Sequence, residues 1–556
     1  MAKNGILGLV LRVRVYLAIA LAVLVGTWLL QMGIGRAEER NPGEQLFRAV
    51  VERVEEDFVG EVDTELLYRA AIEALLGELD DPYSSYVPAR AYENMRIQTE
   101  GDYGGLGLEI VNRAAGVTVV HTIPGTPGHR AGIREGDSFF EIDGIRADTL
   151  RTEQTAILLR GRPGSSVHVR MLRPGIEHPI DFEIERATIR LRAVPFGLLL
   201  DGIAYVPLET FRETATREIG EAIDSLAAAA RDSGLPGLKG LVLDLRDNPG
   251  GLLNEGVKAT DLFLDEGLGV VETRARNGRG NVTYAATSRD RYPELPMVVL
   301  VNGSSASASE ILAGALQDHD RALVLGETTF GKGSVQTYYS FPQGDALRLT
   351  TASWYTPAGR SISRFFDEAE TAGGDAAETE IGDAPEDQVA EDDGGWTERL
   401  TIGGRRVAPV DTAGRPRFES TSGRMLYGGG GVVPDRFVLP ELLLPDEEKG
   451  LREIALLGGR YAAESFDFAV TYVRDNPGLE VGFDLSEEDL DEFVARLVEL
   501  DETIDLVTVS GARRFFRYGL EREIAQQAFG DKGALLQVME FDRQLAAALD
   551  ILAESG

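Results

Sequence analysis

Apolar positions along this chain change their period several times, and each change marks an element. From Val15 to Gly35 there is no charged residue. A helix over that run would be about 31 Å long, close to the apolar thickness of a bilayer. In the segment 40–96, Leu46, Val50, Val54 and Phe58 recur near every fourth residue, as do Leu67, Ala71, Leu75 and Leu79. That spacing predicts helices, and Asp80-Asp81-Pro82-Tyr83-Ser84 ends it. Ile203–Leu208, Leu241–Leu245 and Met297–Val301 are short apolar runs of the kind that form buried strands, and Glu218–Ala230 reads as an amphipathic helix between the first two. Strands alternating with helices over 188–365 predict a mixed α/β sheet. The last segment, 441–556, is helical in pattern. Ser486 with Asp489 suits a helix start, followed by Leu490, Phe493, Val494 and Leu497.

Charge refines this outline. Lys3, Arg12 and Arg14 precede the uncharged run, so segment 1–36 reads as a basic stub and a transmembrane anchor with its amino terminus in the cytoplasm. The rest of the chain would then lie outside the cytoplasm. The alternative is a cleaved signal peptide and a secreted protein, although Gly33-Ile34-Gly35 matches an Ala-x-Ala site poorly. The net charge of −35 over 556 residues argues against a nucleic-acid partner. With no cysteine, the chain has neither disulfides nor a thiol nucleophile. Asp367–Asp393 holds twelve acidic residues and no basic one. That stretch reads as disordered and lies in an acidic, low-complexity insertion over 366–427, after which Gly431–Asp435, within 428–440, returns to the core as a strand.

Candidate chemistry concentrates between Met297 and Gln336. The apolar strand is followed by Ser304, Ser305, Ser307 and Ser309, then by residues of helical spacing from Glu310. A nucleophile at such a strand-to-helix turn sits on rigid elements, with the N–H groups of the helix start facing any oxyanion that develops. Further on, Lys332 stands between Gly331 and Gly333. None of the five histidines, His121, His129, His168, His178 and His319, lies in a Ser-His-Asp type of motif. A lysine can replace histidine as base if it is neutral. Bringing its pKa from about 10.4 to about 7 costs roughly 4 to 5 kcal/mol, which requires burial. Gln336 can accept a hydrogen bond from the amine without adding charge. No metal-ligand cluster or phosphate loop is present in the sequence, so no metal or other cofactor is expected.

The order Ser-Ala-Ser-Ala-Ser-Glu, then Phe-Gly-Lys-Gly-Ser-Val-Gln, resembles the carboxyl-terminal processing peptidases, the tail-specific proteases. The resemblance covers most of residues 40–440. It implies Ser307 as nucleophile, Lys332 as general base and Gln336 as the residue that orients it. It further implies an oxyanion hole made from the N–H of Ala308 and one from Gly250 or Gly251, in Arg246-Asp247-Asn248-Pro249-Gly250-Gly251. The core would be crotonase-like. Gly104-Gly105-Leu106-Gly107-Leu108-Glu109-Ile110, with Pro124–Ile133 and Gly136-Asp137, resembles a PDZ domain over 97–187. Its Gly105–Gly107 turn would present N–H groups to a peptide's terminal carboxylate, and the strand edge through Leu106 and Leu108 would pair with the peptide. A helix at Thr152–Leu159 would flank the groove, with Ile157 or Leu158 facing it. The expected whole is a membrane-anchored serine endopeptidase acting on proteins with accessible C-terminal tails. A catalytically inactive PDZ scaffold is the other reading. Residues 441–556 could pack on the core, form a homo-oligomer or bind an adaptor.

Overall fold

The computed structural model describes residues 41–113, 116–364, 398–407, 412–455 and 457–555. The expected transmembrane segment and the stretch 367–393 lie outside these. Among the described residues no helix is long and apolar enough to cross a membrane. The chain forms two compact units, divided after Tyr86. In the first, Asn41 and Asp63 cap the helices Pro42–Asp57 and Thr64–Gly77. These helices leave Leu46, Val50, Leu66 and Leu75 more than half exposed.

The second unit is built on a six-stranded sheet whose spatial order follows the chain: β1 (Leu198–Leu200), β2 (Ile203–Pro207), β3 (Gly240–Asp244), β4 (Met297–Val301), β5 (Leu323–Gly326) and β6 (Arg436–Phe437). Only the β1–β2 pair is antiparallel. The inner strands β2 to β5 are largely apolar because both faces are covered. Leu241, Leu243, Val299 and Val324 face a core shared with the helices Ala215–Asp232 and Ala308–Asp318. Val242, Val298, Leu300 and Leu325 face the opposite side, where Leu545, Ala548 and Leu552 of the C-terminal helix Arg543–Ser555 pack. A second, antiparallel sheet joins Gly269–Ala275, Val282–Ala285, Ser334–Ser340 and Ala346–Tyr355.

Two expectations are corrected. Residues Gly431–Asp435 are not a strand, and the ladder to β5 runs through the next two residues, Arg436 and Phe437. Gly431 has φ +100°, and Pro434 has no N–H to donate. Part of the segment read as a low-complexity insertion carries regular structure. Residues 398–407 and 412–427 carry two hairpins, Arg399–Leu400 with Arg406–Val407 and Arg417–Glu419 with Met425–Tyr427. They bury Ile402, Val407 and Leu426.

Candidate active site

Four serines follow β4, and the structure sorts them. Ser304 is exposed. Ser305 is buried and donates to the Leu245 carbonyl at 2.7 Å, and Ser309 is buried and donates to the Asn248 carbonyl at 3.0 Å. Ser307 alone is half-buried, at the position immediately before the helix Ala308–Asp318. Its φ of +56° is costly for a residue with a Cβ and presents the side chain at a sharp strand-to-helix turn. Ala308 is the first helical residue, so its N–H has no partner within the helix. His319, at the far end of that helix, is about 16 Å away along its axis. Its imidazole contacts the Gly269 carbonyl.

Glu310 holds the site together. It is fully buried. Its Oε2 accepts from the N–H of Ser307 at 2.8 Å and from the N–H of Lys332 at 2.9 Å. Its Oε1 accepts from Thr329 Oγ1 at 2.5 Å and the N–H of Gly331 at 2.7 Å. One carboxylate thus ties the main chain of the serine turn to that of the lysine loop. Burial pushes its pKa above the ordinary carboxylate value, opposed by the four donors. Neither Glu310 nor Thr329 was singled out by the motifs. The signal that could have found Glu310 is its spacing of three from Ser307, the capping-box interval.

Lys332 is half-buried, and its carbonyl accepts from the Trp354 indole N–H at 3.0 Å. Burial lowers the Lys332 pKa, the positive charge of Arg348 lowers it further, and Glu310 opposes both. This is the direction a neutral amine requires. Gln336, at a bulge in the strand Ser334–Ser340, directs its amide nitrogen to Ser334 Oγ at 2.8 Å and Thr350 Oγ1 at 3.4 Å. The oxygen end of that amide is the end suited to an ammonium or amine.

The loop after β3 reaches the same turn. The Ala306 N–H donates to the Asn248 carbonyl at 3.0 Å. A Cβ built on Gly250 would lie 2.6 Å from the Ala306 oxygen and 2.8 Å from Ser307 Cβ, so only glycine allows this approach. The Gly250 N–H is committed to Asn248 Oδ1 at 2.8 Å. Beyond Gly251 a cleft of about 800 Å³ opens, lined by Leu252, Leu253, Tyr284, Val335 and Ala352, with Glu213, Glu255 and Lys258 at its polar side. Among the described residues, no group of three or more His, Cys, Asp or Glu side chains is placed to hold a metal ion.

A second cavity, of about 490 Å³, runs beside the strand Leu108–Arg113. Among the described residues, that strand is the edge of its sheet and pairs with Gly116–Thr122. Gly105, Leu106, Gly107 and Leu108 line the cavity. The Leu106 and Gly107 carbonyls accept from the N–H groups of Gly128 and Ile123. Because peptide units are trans, the N–H groups of Gly107 and Leu108 point away from those partners. The flanking helix is Thr152–Leu159, but its groove-facing residues differ from expectation. Thr152, Ala156 and Leu159 line the cavity, whereas Ile157 is 48% exposed and Leu158 packs against the domain's own core. The positions 152, 156 and 159 lie on one helical face, which Ile157 and Leu158 do not share. Arg212 lines the cavity from the core side. The adjacent Phe211 N–H donates to the Gly250 carbonyl at 2.8 Å, so the groove abuts the segment that backs the glycine loop.

Comparison with known proteins places these features. Residues 202–365 match the family model of peptidase family S41, and residues 104–184 match that of the PDZ domain. The carboxy-terminal-processing protease of Bartonella bacilliformis is 40% identical over 326 residues, covering 58% of this chain and 74% of that protein. The carboxyl-terminal-processing protease of Picosynechococcus sp. is 36% identical over 299 residues, 53% of this chain and 70% of that protein. A solved photosystem II D1 C-terminal processing protease is 30% identical, covers 57% of this chain and 84% of that chain, and has a TM-score of 0.33.

Proposed function

Since this chain belongs to peptidase family S41, the carboxy-terminal processing serine proteases with a PDZ domain, we propose that it binds the C-terminal tail of a protein substrate in the 490 Å³ groove and cuts the chain with Ser307 and Lys332. The observation that carries this reading is the Glu310 carboxylate, which accepts from the main-chain N–H groups of both residues at one oxygen.

Neutral Lys332 takes the proton from Ser307 Oγ as that oxygen attacks the scissile carbonyl. The oxyanion of the tetrahedral intermediate accepts from the N–H of Ala308 and from the glycine loop. The engagement of the Gly250 N–H by Asn248 favours Gly251 as the second donor. The Lys332 ammonium then protonates the leaving amine, and the carbon–nitrogen bond breaks, leaving an ester on Ser307. In the second half, Lys332 takes a proton from water, the hydroxide displaces Ser307, and the proton returns to Oγ. Gln336 offers its amide oxygen to the ammonium and fixes its direction. The cleft beyond Gly251 is placed to take apolar substrate side chains next to the cut.

The tail would add a strand along Leu108–Arg113, with its carboxylate at the N–H groups of Gly107 and Leu108. The uncharged run Val15–Gly35 behind basic residues supports a membrane anchor that leaves the chain after it on the non-cytoplasmic side. The test uses an unstructured protein and reads its new C-termini by mass spectrometry. The full chain should generate them, and Ser307→Ala should generate none. Equal cleavage by both would remove Ser307 from the mechanism.

A further inference from the structure

The C-terminal extension does more than cover one face of the sheet. The turn that starts its last helix sends two side chains to the carboxyl ends of β3 and β5, the ends from which the glycine loop and the lysine loop depart. Asp542 takes Arg246 in a two-point ion pair, with Nη1 to Oδ1 and Nη2 to Oδ2 both 2.7 Å. Arg246 also donates to Asp244, the last residue of β3, with Nη2 to Oδ2 2.6 Å and Nε to Oδ1 3.0 Å. Tyr205 donates its hydroxyl to the same carboxylate at 2.8 Å. Gln544 is 1% exposed. Its oxygen accepts from Arg246 Nη1 at 3.2 Å, and its nitrogen donates to the Val438 carbonyl at 2.8 Å and reaches Glu327 Oε1 at 3.4 Å.

Arg246 stands four residues before Gly250 in the chain, and Glu327 five before Lys332. The network therefore joins the roots of the two loops through one turn of the extension. A forked arginine–carboxylate pair fixes direction as well as distance. With both partners only 16% exposed, water offers little replacement for it.

Building on the Ser307–Lys332 reading, we propose that Asp542 and Gln544 are positioning residues, which set the oxyanion donors and the lysine against each other through Arg246 and Glu327. The extension is then part of the catalytic apparatus and not a detachable domain. In this view its loss loosens the geometry of the transition state while the substrate groove stays as it is.

The experiment compares the full chain with Asp542→Asn. Asparagine can still cap the final helix, as Asp542 does through the Leu545 N–H, but it removes one of the two carboxylates that hold Arg246, leaving Asp244 alone. A fluorophosphonate that labels catalytic serines counts the competent sites, and peptide mapping assigns the label. Turnover per labelled site and KM are then measured on a tail peptide. The affinity of a peptide aldehyde, whose adduct places an oxyanion in the hole, is measured alongside. The expected result is a fall of about tenfold in kcat per labelled site, a matching loss of aldehyde affinity and a KM within about twofold of wild type. Gln544→Met, close in shape, should show the same pattern more weakly and serves as the test if Asp542→Asn does not fold. Wild-type kcat per labelled site, with only the labelled fraction or the melting temperature lowered, would overturn the proposal. Label found away from Ser307 in the wild type would instead overturn the reading on which it rests.

Discussion

Replacing Glu310 by glutamine keeps shape and volume and removes one charge and one acceptor. In the wild type, four donors converge on the carboxylate, two on each oxygen. An amide has one oxygen, so its NH2 must face one pair. Turned toward Ser307 and Lys332, it would strip both N–H groups of their partner. Turned toward Thr329 and Gly331, it still makes a bond, because the threonine hydroxyl can rotate and accept. The Gly331 N–H is then left facing a donor, and the Thr329 hydroxyl hydrogen must find another acceptor. One buried unsatisfied donor costs about 1–3 kcal/mol. If that cost falls on the geometry of the lysine loop, kcat drops by about fivefold to 150-fold. The lost charge has a second effect with a definite sign. Glu310 raises the Lys332 pKa against burial and Arg348, so its removal lowers that pKa further. The rise of kcat/KM with pH should therefore move to lower pH even as the plateau falls. The assay is kcat/KM on a fluorogenic tail peptide from acid to alkaline pH, with a melting curve to confirm folding. An unchanged plateau and an unchanged pH limb would refute the idea that an ionised Glu310 ties the two loops together.

Lys332→Arg should be as inactive as Lys332→Ala, because a guanidinium stays charged at any working pH; in the wild type, activity should be lost as pH falls through the depressed lysine pKa, and a titration of kcat/KM reads this directly. Gly107→Pro removes an N–H donor from the carboxylate turn, and any Cβ there would lie 2.4 Å from Thr126 Cβ at a φ of +74°. Cleavage of substrates with apolar tails should fall more than cleavage of a generic unfolded protein at high concentration, and amidating the tail should weaken the wild type but matter little to the variant. Tail binding unaffected by amidation would remove carboxylate capture at this turn.

The serine turn and the lysine loop were legible because their chemistry is local: a run of small hydroxyl residues ends an apolar strand, and a lysine sits between glycines. Glu310 follows the same motif at capping-box spacing, yet its role depends on Thr329 and Gly331, which a different loop supplies. The face of the helix Thr152–Leu159 was misassigned because eight residues give about two turns, too few for periodicity to separate Ala156 from Ile157. The insertion was overextended because its acidity ends at Asp393, whereas Ile402, Val407 and Leu426 already belong to buried hairpins. Asp542 and Gln544 carry no local signal at all. Their partners Arg246 and Glu327 lie more than two hundred residues earlier, and only the docking of the last helix on the sheet brings them together.

The account stands most directly on the covalent intermediate. An unfolded protein substrate is mixed with the full chain, quenched in acid within the first turnover, and the enzyme is peptide-mapped by mass spectrometry. The predicted result is a substrate acyl group on the peptide that carries Ser307, absent in Ser307→Ala and in Lys332→Arg. Cleavage that continues in Ser307→Ala, or an acyl group carried by another residue, would contradict it.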